Sequence, residues 1–209
     1  LGGCDMVLDA SGGDLESGRA LFARLGVLTR PGTMLATTSS RLPLSALAEA
    51  AARPADCMVF APAPAGQGLR LVELASGATL DGNPGLLASG AALASRLGRV
   101  PVIATAASGL VSGALLDAAL GAALVAVAEG ASPAEVDAAL RDWGMAMGPF
   151  RLADEWGLSQ VRPSVDPIDL MSAMRGAGRG GRRAGGGFFD YVGLKVRPSG
   201  AAAQLAETL

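Results

Sequence analysis

Residues 100–105 read VPVIAT, and residues 109–128 read GLVSGALLDAALGAALVAVA. The change of pattern between these two stretches decides the fold. The first is short, β-branched and carries Pro101 near its start, which suits an edge strand. The second is Ala- and Leu-rich and long enough for five helical turns. Working backward from the junction, β-like runs alternate with helix-like ones: MVLDA at 6–10, MLAT at 34–37, an apolar piece at 57–60 and LRLVEL at 69–74. Helices are expected over 14–25, 43–52 and 83–97, the last with Asn83 as cap and Pro84 at its first position. Such alternation is the signature of parallel βαβ units.

Working forward from the junction, the pattern is helical. Ser132-Pro133-Ala134-Glu135 spells a capping box, so a helix starts at Pro133 and ends at Trp143-Gly144. Further helices are expected over 150–156 and 169–175. The run GAGRGGRRAGGG then leads into Phe188-Phe189-Asp190-Tyr191, and the last residues read as a loose tail. The fold class is therefore α/β followed by all-α, with an α/β domain over 1–108, a helical domain over 109–192 and a tail over 193–209.

The chain has 209 residues, half of them hydrophobic, and no histidine. The absence of imidazole excludes a Ser-His-Asp triad, an H-E-x-x-H zinc site and a histidine general base from this chain acting alone. With 17 basic and 19 acidic residues, the overall charge of −2 gives no reason to expect a nucleic-acid or membrane partner. Cys4 and Cys57 are too few for a disulfide framework and read as small buried hydrophobes in a reducing, cytoplasmic setting. Charged Asp5 and Asp9 interrupt the first apolar stretch, so no signal peptide is expected there. The chain opens on Leu1 rather than methionine, which suggests native sequence upstream. Residues 109–128 are long enough to span a bilayer, but central Asp117 and the Ala/Gly content favour a buried helix.

Three local features compete for a functional role. Gly12, Gly13 and Gly18 follow a strand and precede a helix, yet Arg19-Ala20 stands where a phosphate loop needs Lys-Ser/Thr, and Asp14 and Glu16 repel phosphate. Arg175, Arg179, Arg182 and Arg183 among glycines read as a structured closing turn rather than an RNA-binding segment. Glu73, at a strand end in an α/β sheet, sits where ligands commonly bind, although a solvated strand-end carboxylate is the commoner case.

Several stretches, in order, resemble the 3-hydroxyacyl-CoA dehydrogenases of fatty-acid β-oxidation, including the dehydrogenase part of bifunctional enzymes. They are Cys4-Asp5-Met6-Val7-Leu8-Asp9-Ala10, Leu71-Val72-Glu73, Glu129-Gly130-Ala131-Ser132, Met145-Ala146-Met147-Gly148-Pro149-Phe150 with Leu152-Ala153-Asp154, and Gly185-Gly186-Gly187-Phe188-Phe189-Asp190-Tyr191. The resemblance runs from about residue 4 to 191. It implies the second half of a Rossmann-like NAD-binding domain, a helical dimerisation domain, NAD as cofactor and an acyl-CoA substrate. It also places Leu1 inside the NAD domain, downstream of the family's glycine-rich loop.

The family pairs a catalytic histidine with an orienting glutamate and keeps a serine and an asparagine near the substrate. By resemblance the glutamate is Glu73, the serine position is Thr37 and the asparagine position is Gly113. Ala10 and Thr37 fall where the cofactor is held, and a further family glutamate falls on Gly13. Ungapped counting from Glu73 puts the histidine on Ala61, and shifted registers put it on Val59 or Phe60. The expectation is a family protein impaired in dehydrogenation, working as a homodimer or within a multifunctional β-oxidation enzyme. The alternative is an active NAD-dependent oxidoreductase with another base.

Overall fold

A computed structural model describes residues 1–63, 70–77, 83–104 and 110–209. The chain divides into two compact units, Leu1–Ser112 and Gly113–Leu209. The first holds strands β1 (Met6–Asp9), β2 (Met34–Thr37), β3 (Cys57–Pro62), β4 (Leu71–Ala75) and β5 (Val100–Ile103). Its helices are α1 (Leu15–Leu28), α2 (Leu44–Ala51) and α3 (Pro84–Arg96). The strands form one sheet in the order β1-β2-β3-β4-β5.

Neighbours run parallel except β3 and β4, which are antiparallel. The parallel pairing expected from the alternation holds for three of the four neighbouring pairs, and β3–β4 is the exception. Only residues 63–70 separate Pro62 from Leu71, too few for the crossover that a parallel pair requires. Residues 69 and 105, expected in strands, lie outside the described residues.

The sheet is apolar on both faces because helices cover both. Leu35, Cys57, Val59 and Ala61 face α1 and α2 through Phe22, Leu25, Leu44 and Leu47. Ala36, Met58, Phe60, Val72 and Leu74 face α3 through Leu86, Leu87 and Ala94. Asn83 caps α3 by accepting the Leu86 N–H at 3.1 Å. Helix α1 packs against α2 at Gly26, where a Cβ would strike the Ala51 carbonyl. Arg53, just after α2, donates to the carbonyls of Gly26, Thr29, Arg30 and Thr33, completing the otherwise open carboxyl end of α1.

The second unit is built on α4 (Leu110–Ala128, of which residues 113–128 lie here), α5 (Pro133–Trp143), α6 (Pro149–Trp156) and α7 (Leu170–Gly176). The capping box forms as expected, with both reciprocal hydrogen bonds between Ser132 and Glu135. Leu116, Leu120, Leu124, Phe150, Leu158, Leu170, Met171 and Phe188 make its core. Helix α4 is long and apolar enough to cross a membrane, yet its Leu116–Leu120–Leu124 stripe is buried in this core. The expectation of a buried helix holds for that face only, since Leu115 on the other side is 66% exposed.

The second unit is the helical region expected, with one correction: residues 193–209 are not a loose tail. Strands β6 (Phe189–Val192) and β7 (Lys195–Pro198) form an antiparallel hairpin, and α8 (Gly200–Thr208) follows. Gly193, at φ 60°, makes the turn that brings β7 back. Ser199 caps α8, whose Ala202 is buried in the core. A four-residue strand and a nine-residue helix carry too weak a periodic signal for sequence to separate from a tail.

Candidate active site

The carboxyl ends of β1, β2 and β3 meet the amino end of β4, the edge of an open α/β sheet where ligands bind. Asp9, Thr37, Ala61 and Glu73 lie along it. Asp9 and Thr37 are direct neighbours in the β1–β2 register, Thr37 pairs with Val59, and Ala61 pairs with Glu73. Because side chains alternate with a period of two, all four project from the sheet face that packs on α1 and α2. The two residues singled out for catalysis thus share one edge and one face. Ala10 is exposed beside them.

Glu73 is neither exposed nor solvated, as a strand-end carboxylate was expected to be. It is 3% exposed. Its Oε1 accepts the N–H of Val111 at 2.9 Å and of Ser112 at 3.1 Å, and the Ser112 hydroxyl donates to Oε2. The carboxylate therefore caps the first turn of α4, where unpaired N–H groups and the helix dipole favour negative charge. Leu110, which opens that turn, has φ 61° and is buried among the residues facing α1 and α2. Opposite Glu73, at the position that ungapped counting assigned to a histidine, stands the methyl group of Ala61.

Thr37 is wholly buried. Its Oγ1 accepts the Ser39 N–H at 3.1 Å and directs its proton toward Asp9 Oδ2 at 3.5 Å. Asp9, 8% exposed, also accepts the Ser11 N–H through Oδ1 at 2.9 Å. Sequence reasoning missed Asp9 and Ser112. The first had a usable signal, an acid closing an apolar strand one residue before Ala10. The second had none, because its partner lies on a distant strand.

The amino end of α1 is not a phosphate seat. Asp14 already takes the N–H and hydroxyl of Ser17, at 2.9 and 2.6 Å, and these bonds hold its carboxyl below the usual range. Burial pushes the Cys57 thiol up to about 11, which makes it inert as a nucleophile. Cys4, expected to be buried, is exposed, because it precedes β1 and has no sheet neighbour to cover it. Among the described residues no group of three His, Cys, Asp or Glu side chains could hold a metal.

In the second unit, Asp154 accepts the N–H groups of Phe188 and Phe189 and the Tyr191 hydroxyl, each at 2.9 Å. Burial pushes its carboxyl up to about 6. Arg179 donates to the Gly187 carbonyl at 2.8 Å, to Asp190 at 2.5 Å and to Ser199 at 2.7 Å. The glycine/arginine run is a closing turn whose first arginine is held internally.

Comparison with known proteins bears on both units. Residues 1–107 match the family model described as 3-hydroxyacyl-CoA dehydrogenase, NAD binding domain, and residues 109–191 match the model for the C-terminal domain of the same family. The peroxisomal bifunctional enzyme of Danio rerio is 31% identical over 212 residues, covering 90% of this chain but 29% of that protein. The chain thus spans less than a third of that relative. A probable 3-hydroxybutyryl-CoA dehydrogenase of Deinococcus radiodurans is 31% identical over 206 residues, covering 90% of this chain and 72% of that one. The crystal structure of FadB2 from M. tuberculosis superposes with a TM-score of 0.77 at 28% identity, over 92% of this chain and 72% of the other.

Proposed function

Because this chain belongs to the 3-hydroxyacyl-CoA dehydrogenase family, we propose that it serves fatty-acid oxidation as an NAD- and acyl-CoA-binding scaffold whose own dehydrogenation step is impaired. The observation that carries the reading is Glu73. Its carboxylate is buried and bonded to the first turn of α4, and the residue across the sheet from it is an alanine. In the family reaction a base must take the hydroxyl proton as hydride leaves the 3-carbon. Glu73 has no imidazole to orient, and Gly113 has no side-chain amide where the family has an asparagine.

The carboxyl end of β1 suits one side of a dinucleotide. Residues 10–13 are exposed, and Gly12 turns with φ 70°. Ala10, Gly12 and Gly13 offer no side chain larger than a methyl group to obstruct the approach. NAD, when bound, supplies the hydride acceptor. The chain's own residues hold the edge in shape: Asp9 and Thr37 tie β1 to β2, and Glu73 fixes the start of α4.

The reading includes a homodimer or a place within a multifunctional β-oxidation enzyme, the latter supported by the likeness to a peroxisomal bifunctional enzyme. The two free cysteines support a reducing, cytoplasmic setting. One observation favours the alternative of a working oxidoreductase. Asp9 is a second buried carboxylate at the same edge, and the Thr37 hydroxyl proton already points toward it.

Acetoacetyl-CoA reduction by NADH separates the two readings. Loss of a general base lowers rates by about 10²–10⁴ relative to a histidine-bearing relative, while acyl-CoA binding by calorimetry persists. Turnover within about tenfold of such a relative refutes the scaffold reading. If Asp9→Asn then abolishes that turnover, the proton acceptor is Asp9.

A further inference from the structure

We propose that the β6–β7 hairpin is a docking element for an anionic membrane surface. Charge is unevenly distributed in the second unit. Residues 175–197 carry Arg175, Arg179, Arg182, Arg183, Lys195 and Arg197 against a single acid, Asp190. Arg179 pairs with Asp190 and Arg182 with Glu155. The other four cations are exposed, and among the described residues they have no ion pair.

The turn between the strands is apolar. Val192 is 72% and Leu194 is 92% exposed, with Gly193 between them. An exposure of this size on two neighbouring aliphatic residues means that no other described residue of the second unit covers the tip. The hairpin is also firmly built. Val192 and Lys195 pair across the turn, and Arg179 and Asp154 hold Asp190 and Tyr191 at the base.

The order of chemistry along the hairpin matches a bilayer leaflet. The apolar residues lead, Lys195 follows, and Arg197 sits two residues behind it, about 7 Å at the rise of a strand. A headgroup layer and the hydrocarbon boundary beneath it lie at a comparable depth, about 5–10 Å. Basic residues beside an anionic leaflet are attracted to it, and a short apolar tip adds contact with the acyl chains. An acidic protein would satisfy the cations but would leave Val192 and Leu194 needing a separate apolar socket. The sequence-level expectation of no membrane partner rested on the overall charge of −2, which averages this patch with the acidic remainder of the chain.

The test is co-sedimentation of the full chain with vesicles of phosphatidylcholine alone or mixed with phosphatidylserine. The expected result is at least about tenfold stronger binding to the mixed vesicles, lost in about 0.5 M salt, where the Debye length shrinks to a few ångström. Lys195→Glu with Arg197→Glu should remove binding, and Leu194→Ser should weaken it severalfold. All three residues are exposed, so thermal unfolding should not change. Wild-type protein that stays in the supernatant overturns the proposal, as does binding that the double charge reversal leaves intact. Binding to polyglutamate as tight as to vesicles, and indifferent to Leu194→Ser, overturns it in favour of an acidic protein partner.

Discussion

Glu73 in the first unit and Asp154 in the second are built alike. Each is a buried carboxylate that accepts two consecutive backbone N–H groups and one side-chain hydroxyl: Val111, Ser112 and the Ser112 hydroxyl for Glu73, and Phe188, Phe189 and the Tyr191 hydroxyl for Asp154. Asp137 and Asp166 repeat the backbone half of the pattern at Phe150-Arg151 and Leu170-Met171. By family resemblance, Glu73 corresponds to an active-site residue, and by geometry it belongs with the anchors of the second unit. The lesson is physical. A buried carboxylate with no imidazole beside it must find other donors, and the nearest helix terminus supplies them.

Four experiments break or sharpen that likeness. The largest effect is expected from Asp154→Ala, which strands two N–H groups and a phenol in the core. At about 1–3 kcal/mol per unsatisfied group, it should lower the unfolding free energy by about 3–5 kcal/mol, measured by urea denaturation. A loss under about 1 kcal/mol would show that water replaces the carboxylate and that the anchor is dispensable.

Glu73→Gln comes next, with an expected loss of about 2 kcal/mol, because one carboxylate oxygen becomes an N–H donor facing other donors. If stability instead stayed level or rose, Glu73 would behave as functional residues commonly do when removed, and the comparison with Asp154 would fail.

Ala61→His restores an imidazole directly across from Glu73. With both carboxylate oxygens engaged by α4, the gain in NADH-dependent acetoacetyl-CoA reduction should stay under about tenfold, against the 10²–10⁴ that an oriented base contributes. Adding Ser112→Ala removes the hydroxyl bond to Oε2, leaving it only the long Ser112 N–H contact at 3.4 Å, and should raise the rate further. A full gain from the single substitution would mean that Glu73 is not committed to the helix.

The last effect is pH-dependent. Burial raises Asp154 from 3.8 to about 6, so the folded state holds that proton more tightly than the unfolded chain. The associated stability is present below the unfolded value and is lost as pH rises through about 6. The stability advantage of wild type over Asp154→Asn should therefore be greatest near pH 4 and shrink toward pH 7, followed by denaturation at each pH. An advantage that grew with pH would reverse the sign and mean that the three donors outweigh burial.

Much of the fold was legible because its signals are local. Met34–Thr37 forms the strand read there, Asn83-Pro84 opens α3, and Ser132 with Glu135 closes the capping box. Each of these depends on side chains within four residues of one another. The antiparallel pairing of β3 with β4 was missed because strand direction depends on what connects the strands rather than on the strands themselves. Of the candidate site, the sequence offered identities only, Glu73, Thr37 and Ala10 by resemblance, with no histidine in the chain. The site's chemistry was misread where it depends on distant partners, as with Asp9 beside Thr37 and Val111-Ser112 beside Glu73.

The sequence by itself determined what this chain lacks. With no histidine anywhere in the chain, no arrangement of it can create an imidazole base. It also determined the family, through motifs whose order survives low identity. Only the tertiary structure decided what Glu73 does. A carboxylate's role follows from the donors brought within about 3 Å of it, and here a helix thirty-eight residues further along the chain supplies them.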